Sequence, residues 1–110
     1  MKRDYNLFLD DIVESIRHIE DFIYGFTYER FCKDEKTLSA VIRKLEVIGE
    51  ASKQIPQSFK DQYPDLPWTE MARMRDKLIH GYFGVNPEII WRVIRERLPE
   101  IGKQIETSLS

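Results

Sequence analysis

Apolar residues in this chain recur at steps of three and four, and over no strand-length stretch do they alternate with polar ones. That spacing constrains the fold more than any other feature. A period of 3.6 residues gathers such positions on one face of a helix, whereas a strand needs a period of two. Phe8, Ile12, Ile16, Ile19, Ile23 and Phe26 form a first stripe, predicting a helix over residues 4–25 with Asp4 as its N-cap. Leu38, Val41, Ile42, Leu45, Ile48 and Ala51 form a second, opened by Asp34 and running to about Gln54. Trp68, Met71, Met74 and Leu78 form a third, starting at Pro67 or Trp68. Ile90, Val93, Ile94, Leu98, Ile101 and Ile105 form a fourth. Its start, Asn86-Pro87-Glu88, is an N-cap, a proline at the first helical position and an acid beside the positive end of the dipole. Pro99 inside that stripe predicts a kink or a division, because proline has no N–H and its ring crowds the preceding turn.

Shorter signals fill the gaps. Thr27 is placed to cap a short turn that tucks Tyr28 or Phe31 under the bundle. Gln57 to Gln62 fits one short helical turn, and Tyr63-Pro64-Asp65-Leu66-Pro67 reads as a rigid loop, since two prolines fix φ and keep their preceding residues extended. Gly49 within the second helix predicts close approach of a neighbour. The expected architecture is all-α: an up-and-down helical bundle of four or five helices in a single domain, residues 1–110.

With 42% hydrophobic and 33% charged residues the composition is that of a globular chain, neither disordered nor membrane-spanning. The opening Met1-Lys2-Arg3-Asp4-Tyr5 lacks the continuous apolar stretch of a secretory leader. Cys32 is the single cysteine, which excludes an internal disulfide and offers no metal-ligand spacing. A reducing, cytoplasmic setting and no membrane partner are expected. Glu46 and Glu50 lie one turn apart, but without further ligands a structural, half-buried role suits Glu50 better than a metal site. No cofactor is implied.

The net charge of −2 makes the whole chain no attractor of polyanions. Its distribution is uneven. Residues 1–65 hold ten Lys/Arg against thirteen Asp/Glu, whereas residues 71–97 hold six basic residues against three acidic ones. That local surplus reads either as solvated helix faces or as a phosphate-binding patch.

Within the surplus lies Arg75-Asp76-Lys77-Leu78-Ile79-His80-Gly81-Tyr82. It combines a permanent cation whose planar fork suits phosphate, an imidazole able to move protons near neutral pH, a carboxylate and a phenol. Arg75 and His80 are five residues apart, about 140° on an ideal helix, so one copy does not aim both at one small group. Asp76 and His80 are four apart and share a face, so Asp76 can hold one imidazole nitrogen and leave the other to act. Pairing this helix with a second copy about a two-fold axis brings two such sets into one cleft. A structural reading stands beside each residue. Arg75 can pair with an acid such as Glu50, His80 can cap the helix end, Asp76 can pair with Arg73 or Lys77, and Tyr82 can pack in the core.

The pattern Arg, four residues, His, one residue, Tyr resembles the signature of the HEPN superfamily, and within it the HepT-like toxins encoded beside a minimal nucleotidyltransferase. The resemblance covers nearly the whole chain. Ile-Gly-Glu-Ala-Ser-Lys-Gln-Ile-Pro at Ile48 to Pro56, Pro-Asp-Leu-Pro-Trp at Pro64 to Trp68, Tyr82 to Asn86, Trp91 and Leu98-Pro99 all fit that family's pattern in order. The resemblance implies a HEPN-like bundle forming a two-fold dimer, or a higher oligomer, and a metal-independent endoribonuclease acting on RNA. Arg75 and His80 are its implied catalytic residues, joined by Asp76, where relatives often carry asparagine. It implies Tyr82 as the site at which a cognate nucleotidyltransferase antitoxin attaches AMP. A second class stays open: a non-catalytic helical binding module that partners such a nucleotidyltransferase.

Overall fold

The structure is a computed structural model that describes the backbone of residues 5–80 and 86–109 and the side chains of residues 6–74 and 86–108. Every regular element among the described residues is helical: α1 (Tyr5–Phe22), α2 (Tyr28–Lys33), α3 (Glu35–Gln54), α4 (Gln57–Gln62), α5 (Trp68–His80), α6 (Pro87–Arg92), a π-helical turn (Val93–Arg97) and α7 (Leu98–Leu109). Four long arms therefore carry the fold: α1, α3, α5 and the unbroken run from α6 through α7. The proposed cap Asp4 lies outside the described residues.

Helix α3 is the centre of the packing, with α1 on one side and α5 on another, while α7 lies along α1 and α2 bridges α3 and α6. The stripes read from the sequence supply this core. Ile12, Ile16, Ile19, Val41, Leu45, Ile48, Met71, Ile94, Leu98, Ile101 and Ile105 are buried, whereas Phe8, Phe26, Leu38, Ile42 and Val93 sit half-buried at its margins. Leu9, absent from the first stripe, is buried in place of Phe8. Small residues thin α3 near its end, where Gly49, Ala51 and Ser52 are all buried. The Ser52 hydroxyl donates to the Ile48 carbonyl at 2.7 Å, which satisfies a polar group that burial would otherwise penalise. On the other flank of α1, a β-carbon at Gly102 would stand 3.4 Å from Ile16, so α7 also approaches closely.

Local chemistry explains where the elements begin and end. Gly25 adopts φ +78°, a left-handed conformation that ends the α1 turn. Thr27 Oγ1 accepts from the Arg30 N–H at 3.2 Å and starts α2, which buries Phe31 completely. Asp34 Oδ1 accepts from the Thr37 N–H at 3.0 Å and starts α3. That hydrogen bond, with Arg30 and Lys36 nearby, holds the Asp34 carboxyl below its ordinary pKa.

Pro99 neither divides the last arm nor ends it. The chain instead passes through the π-helical turn, in which the Leu98 N–H bonds to the Val93 carbonyl five residues back. The wider turn relieves the crowding that a proline ring imposes on an α-helical turn. Ile90, Ile94 and Leu98 are buried on either side of and within this turn.

Two stability predictions follow from this core and its caps. Ile48→Ala removes a fully buried side chain from the helix that two others pack on, and should cost about 2–5 kcal/mol in a urea melt. For Asp34 the sign follows from its depressed pKa: the charged cap stabilises fully above the unfolded value of about 4 and is lost as pH falls through the lower folded value. The melting-temperature advantage of wild type over Asp34→Asn should therefore shrink on acidification below about pH 4. A difference that stays constant with pH would show that the cap's charge contributes nothing.

Candidate functional site

Helix α5 carries the motif, and its first turn is fixed before the motif is reached. The Trp68 indole N–H donates to the Tyr63 carbonyl at 2.9 Å, and the Met71 N–H bonds to the Pro67 carbonyl at 3.0 Å. Phe59 packs against both aromatic neighbours, with ring centroids 4.9 Å from Tyr63 and 6.3 Å from Trp68. The two prolines of the loop thus hand the chain to α5 in a set direction.

A second clamp closes the bundle from the other side. Arg97 Nε in the π-helical turn lies 2.6 Å from both carboxylate oxygens of Glu70, and its Nη1 lies 3.0 Å from Glu100. The Glu70 contact, opposed by partial burial, raises the Arg97 pKa further, so the guanidinium stays charged throughout. This pair ties α5 to the last arm across 27 positions of sequence. No local spacing announces it.

The backbone of α5 is helical and unbroken through His80. Arg75, Asp76 and His80 occupy its last two turns; their side chains lie outside the described residues, as does the whole of residues 81–85, including Tyr82. Register positions are nonetheless fixed by the helix. Buried Trp68, Met71 and Met74 define its inward line, on which Leu78 falls four positions after Met74. Arg75 falls four positions after Met71 and seven after Trp68, so its register position lies between those two, on the inward side of the helix. His80 falls seven positions after Arg73 and eleven after Thr69, both exposed, on the opposite side. Arg75 and His80 therefore diverge by about 140°, and Asp76 shares the His80 side. Further along the chain, Asn86 Oδ1 accepts from the Glu88 N–H at 2.9 Å and pins the start of α6.

The basic surplus of residues 71–97 is smaller in space than in sequence. Arg97 is neutralised by Glu70 and Glu100, which lie just outside that window, and Arg92 pairs with Glu88 at 3.3 Å. Arg95 lies over the Trp91 ring, 5.3 Å from its centroid. Solvated, paired helix faces account for these three arginines better than a phosphate patch does. Glu50 is exposed on α3 rather than half-buried, and Glu46 has Arg43 at 3.9 Å. Among the described residues no three His, Cys, Asp or Glu side chains are grouped to hold a metal ion, and no helix is long and apolar enough to cross a membrane.

Comparison with known proteins bears on the same segment. The family model "Ribonuclease HepT-like" matches residues 12–108. A protein of Methanocaldococcus jannaschii, named provisionally as an RNase, is 52% identical over 105 residues, covering 96% of this chain and 87% of that one. A protein of Thermococcus cleftensis named as a probable ribonuclease HepT is 51% identical over 106 residues, covering 96% of each chain. A protein of Caldanaerobacter subterraneus subsp. tengcongensis, also named provisionally as an RNase, is 42% identical over 102 residues, covering 93% of this chain and 91% of that one. No solved structure matches the chain significantly.

The Glu70–Arg97 clamp generates a testable consequence. Its side chains are 39% and 34% exposed, so solvent screening limits its worth despite the short contacts. A double-mutant cycle with Glu70→Ala and Arg97→Ala should give a coupling of about 1 kcal/mol in urea melts. A coupling indistinguishable from zero would mean that α5 is held by its apolar line alone.

Proposed function

Because the chain belongs to the HepT-like ribonuclease family and is a ribonuclease, we propose that it is a metal-independent endoribonuclease whose active site forms only between two copies. The observation that supports the composite site is the unbroken course of α5 through His80. A rigid helix separates Arg75 from His80 by about 140°, so a single phosphodiester meets both groups only if one comes from each copy, or if paired helices frame a shared cleft.

In this reading His80 takes the proton from a ribose 2′-hydroxyl, and that oxygen attacks the adjacent phosphorus. The bond from phosphorus to the 5′-oxygen breaks, and the partner subunit's His80, protonated, gives its proton to the leaving oxygen. Arg75 holds the phosphate and offsets charge as it builds on the equatorial oxygens. Asp76 orients the imidazole from one turn before it. The products are a 2′,3′-cyclic phosphate and a free 5′-hydroxyl.

The same family membership supports a regulated role: a toxin neutralised by a minimal nucleotidyltransferase that adds AMP to Tyr82. An adenylate there places phosphate charge and bulk beside the cleft and repels RNA.

Arg75→Ala and His80→Ala should each lower kcat/KM on RNA by about a hundredfold or more, with melting temperature unchanged and cleavage preserved in excess EDTA. Loss of cleavage in EDTA would refute the metal-free chemistry. Incubation with the partner nucleotidyltransferase and ATP should block cleavage by wild type and spare Tyr82→Phe; equal cutting by modified and unmodified wild type would refute the switch. A protein that co-purifies with that partner and never cuts RNA would be a binding module.

A further inference from the structure

Among the arginines whose side chains are described, all but one are committed. Arg17 pairs with Glu106, Arg43 with Glu46, Arg92 with Glu88 and Arg97 with Glu70, while Arg30 and Arg95 lie over the rings of Phe26 and Trp91. Arg73 has no such partner among the described residues, and it is exposed. It lines a groove between α4 and α5, together with Lys60, Thr69 and Gln57. Of the groove's two carboxylates, one is neutralised by a cation and the other keeps its charge. Glu70 is held by Arg97, and Asp61 accepts from the Gln57 amide at 2.9 Å. One wall is stiff, built from Pro64, Pro67 and the hydrogen-bonded Trp68. Two cations and a hydroxyl thus line a groove in which Arg97 compensates Glu70 and only Asp61 opposes them, a local surplus of one positive charge.

The channel also points the right way. Arg73 precedes His80 by seven positions, two turns along one line of α5 and about 10.5 Å of rise. That separation is a few nucleotides of a single strand. We propose that the α4–α5 groove is a phosphate-binding subsite, in which Arg73 and Lys60 hold the RNA strand a few nucleotides from the bond that is cut. The assignment rests on the ribonuclease reading above. Arg73 and Lys60 are binding residues here and have no part in proton transfer. Arg73 supplies a forked donor for phosphate oxygens and Lys60 a point charge. Because the contacts are to the backbone, the subsite reads length and charge rather than base sequence.

The test uses the full chain and single-stranded 2′-O-methyl RNA, which lacks the attacking hydroxyl and so separates binding from cleavage. Arg73→Gln should bind a hexanucleotide about three- to tenfold more weakly, and the slope of log K against log salt should fall by about 0.7 for each charge removed. Binding of a dinucleotide, too short to reach the groove, should not change. Arg73→Lys should restore most of the affinity. With cleavable hexanucleotide, Arg73→Gln should raise KM and leave kcat near the wild-type value. Lys60→Gln, on a different helix, provides the same readings should Arg73→Gln fail to fold. A folded variant with wild-type affinity and salt slope would overturn the subsite and leave the groove to an acidic protein partner. A wild type that neither binds nor cuts RNA would overturn both this assignment and the ribonuclease mechanism; a wild type that cuts while the variants bind normally would overturn the subsite alone.

Discussion

Burial of one line of α3 under two neighbours is the interaction on which the rest depends. Val41, Leu45, Ile48 and Ala51 lose nearly all contact with water, and the small Gly49 and Ser52 beside them leave room for close approach. A fully buried aliphatic side chain contributes about 1.5–3 kcal/mol, so a handful of them outweighs any surface ion pair in this chain. Helix α5 inherits its position from that line through Trp68, Met71 and Met74. The Glu70–Arg97 contact then limits how α5 can rotate against the last arm. The direction of α5 through His80 is therefore set by apolar packing two turns earlier.

This hierarchy explains which features the sequence disclosed. Stripes at steps of three and four revealed the long arms, because a helix can bury only such positions. Caps at Thr27, Asp34 and Asn86 were legible for the same local reason: each bonds to an N–H two or three residues ahead. Leu9 was missed because Phe8 and Leu9 are adjacent and both apolar, so periodicity alone could not say which one faces inward. The π-helical turn had no signal in the spacing of apolar residues. Ile90, Ile94 and Leu98 step by four twice, a spacing that the regular helix α3 also buries at Val41, Leu45 and Gly49, so it does not signal a wider turn. Pro99 predicts a kink or a division; the arm is not divided, and a wider turn stands just before the proline.

Charge was the least legible property. Counting residues 71–97 in isolation produced a basic surplus, yet Glu70 and Glu100 sit just beyond that window and consume Arg97. Pairing across 27 positions follows from which helices meet, and no spacing rule encodes it. The same count gave no reason to single out Arg73, whose distinction is that it has no ion-pair or ring partner among the described residues. Only the packed arrangement separates committed cations from available ones.

That separation bears on how a chain of net charge −2 can act on a polyanion. General electrostatic attraction is weak at such a charge, and mobile ions screen it beyond about 8–10 Å. Affinity for RNA must then come from a few uncommitted cations held where the strand passes. Paired arginines contribute little, since each would have to leave a carboxylate before it met a phosphate. In the dimer proposed above, RNA is held best where two copies add their cations together. Under that proposal, activity depends on assembly, and the proposed adenylation of Tyr82 gains its leverage from the same dependence.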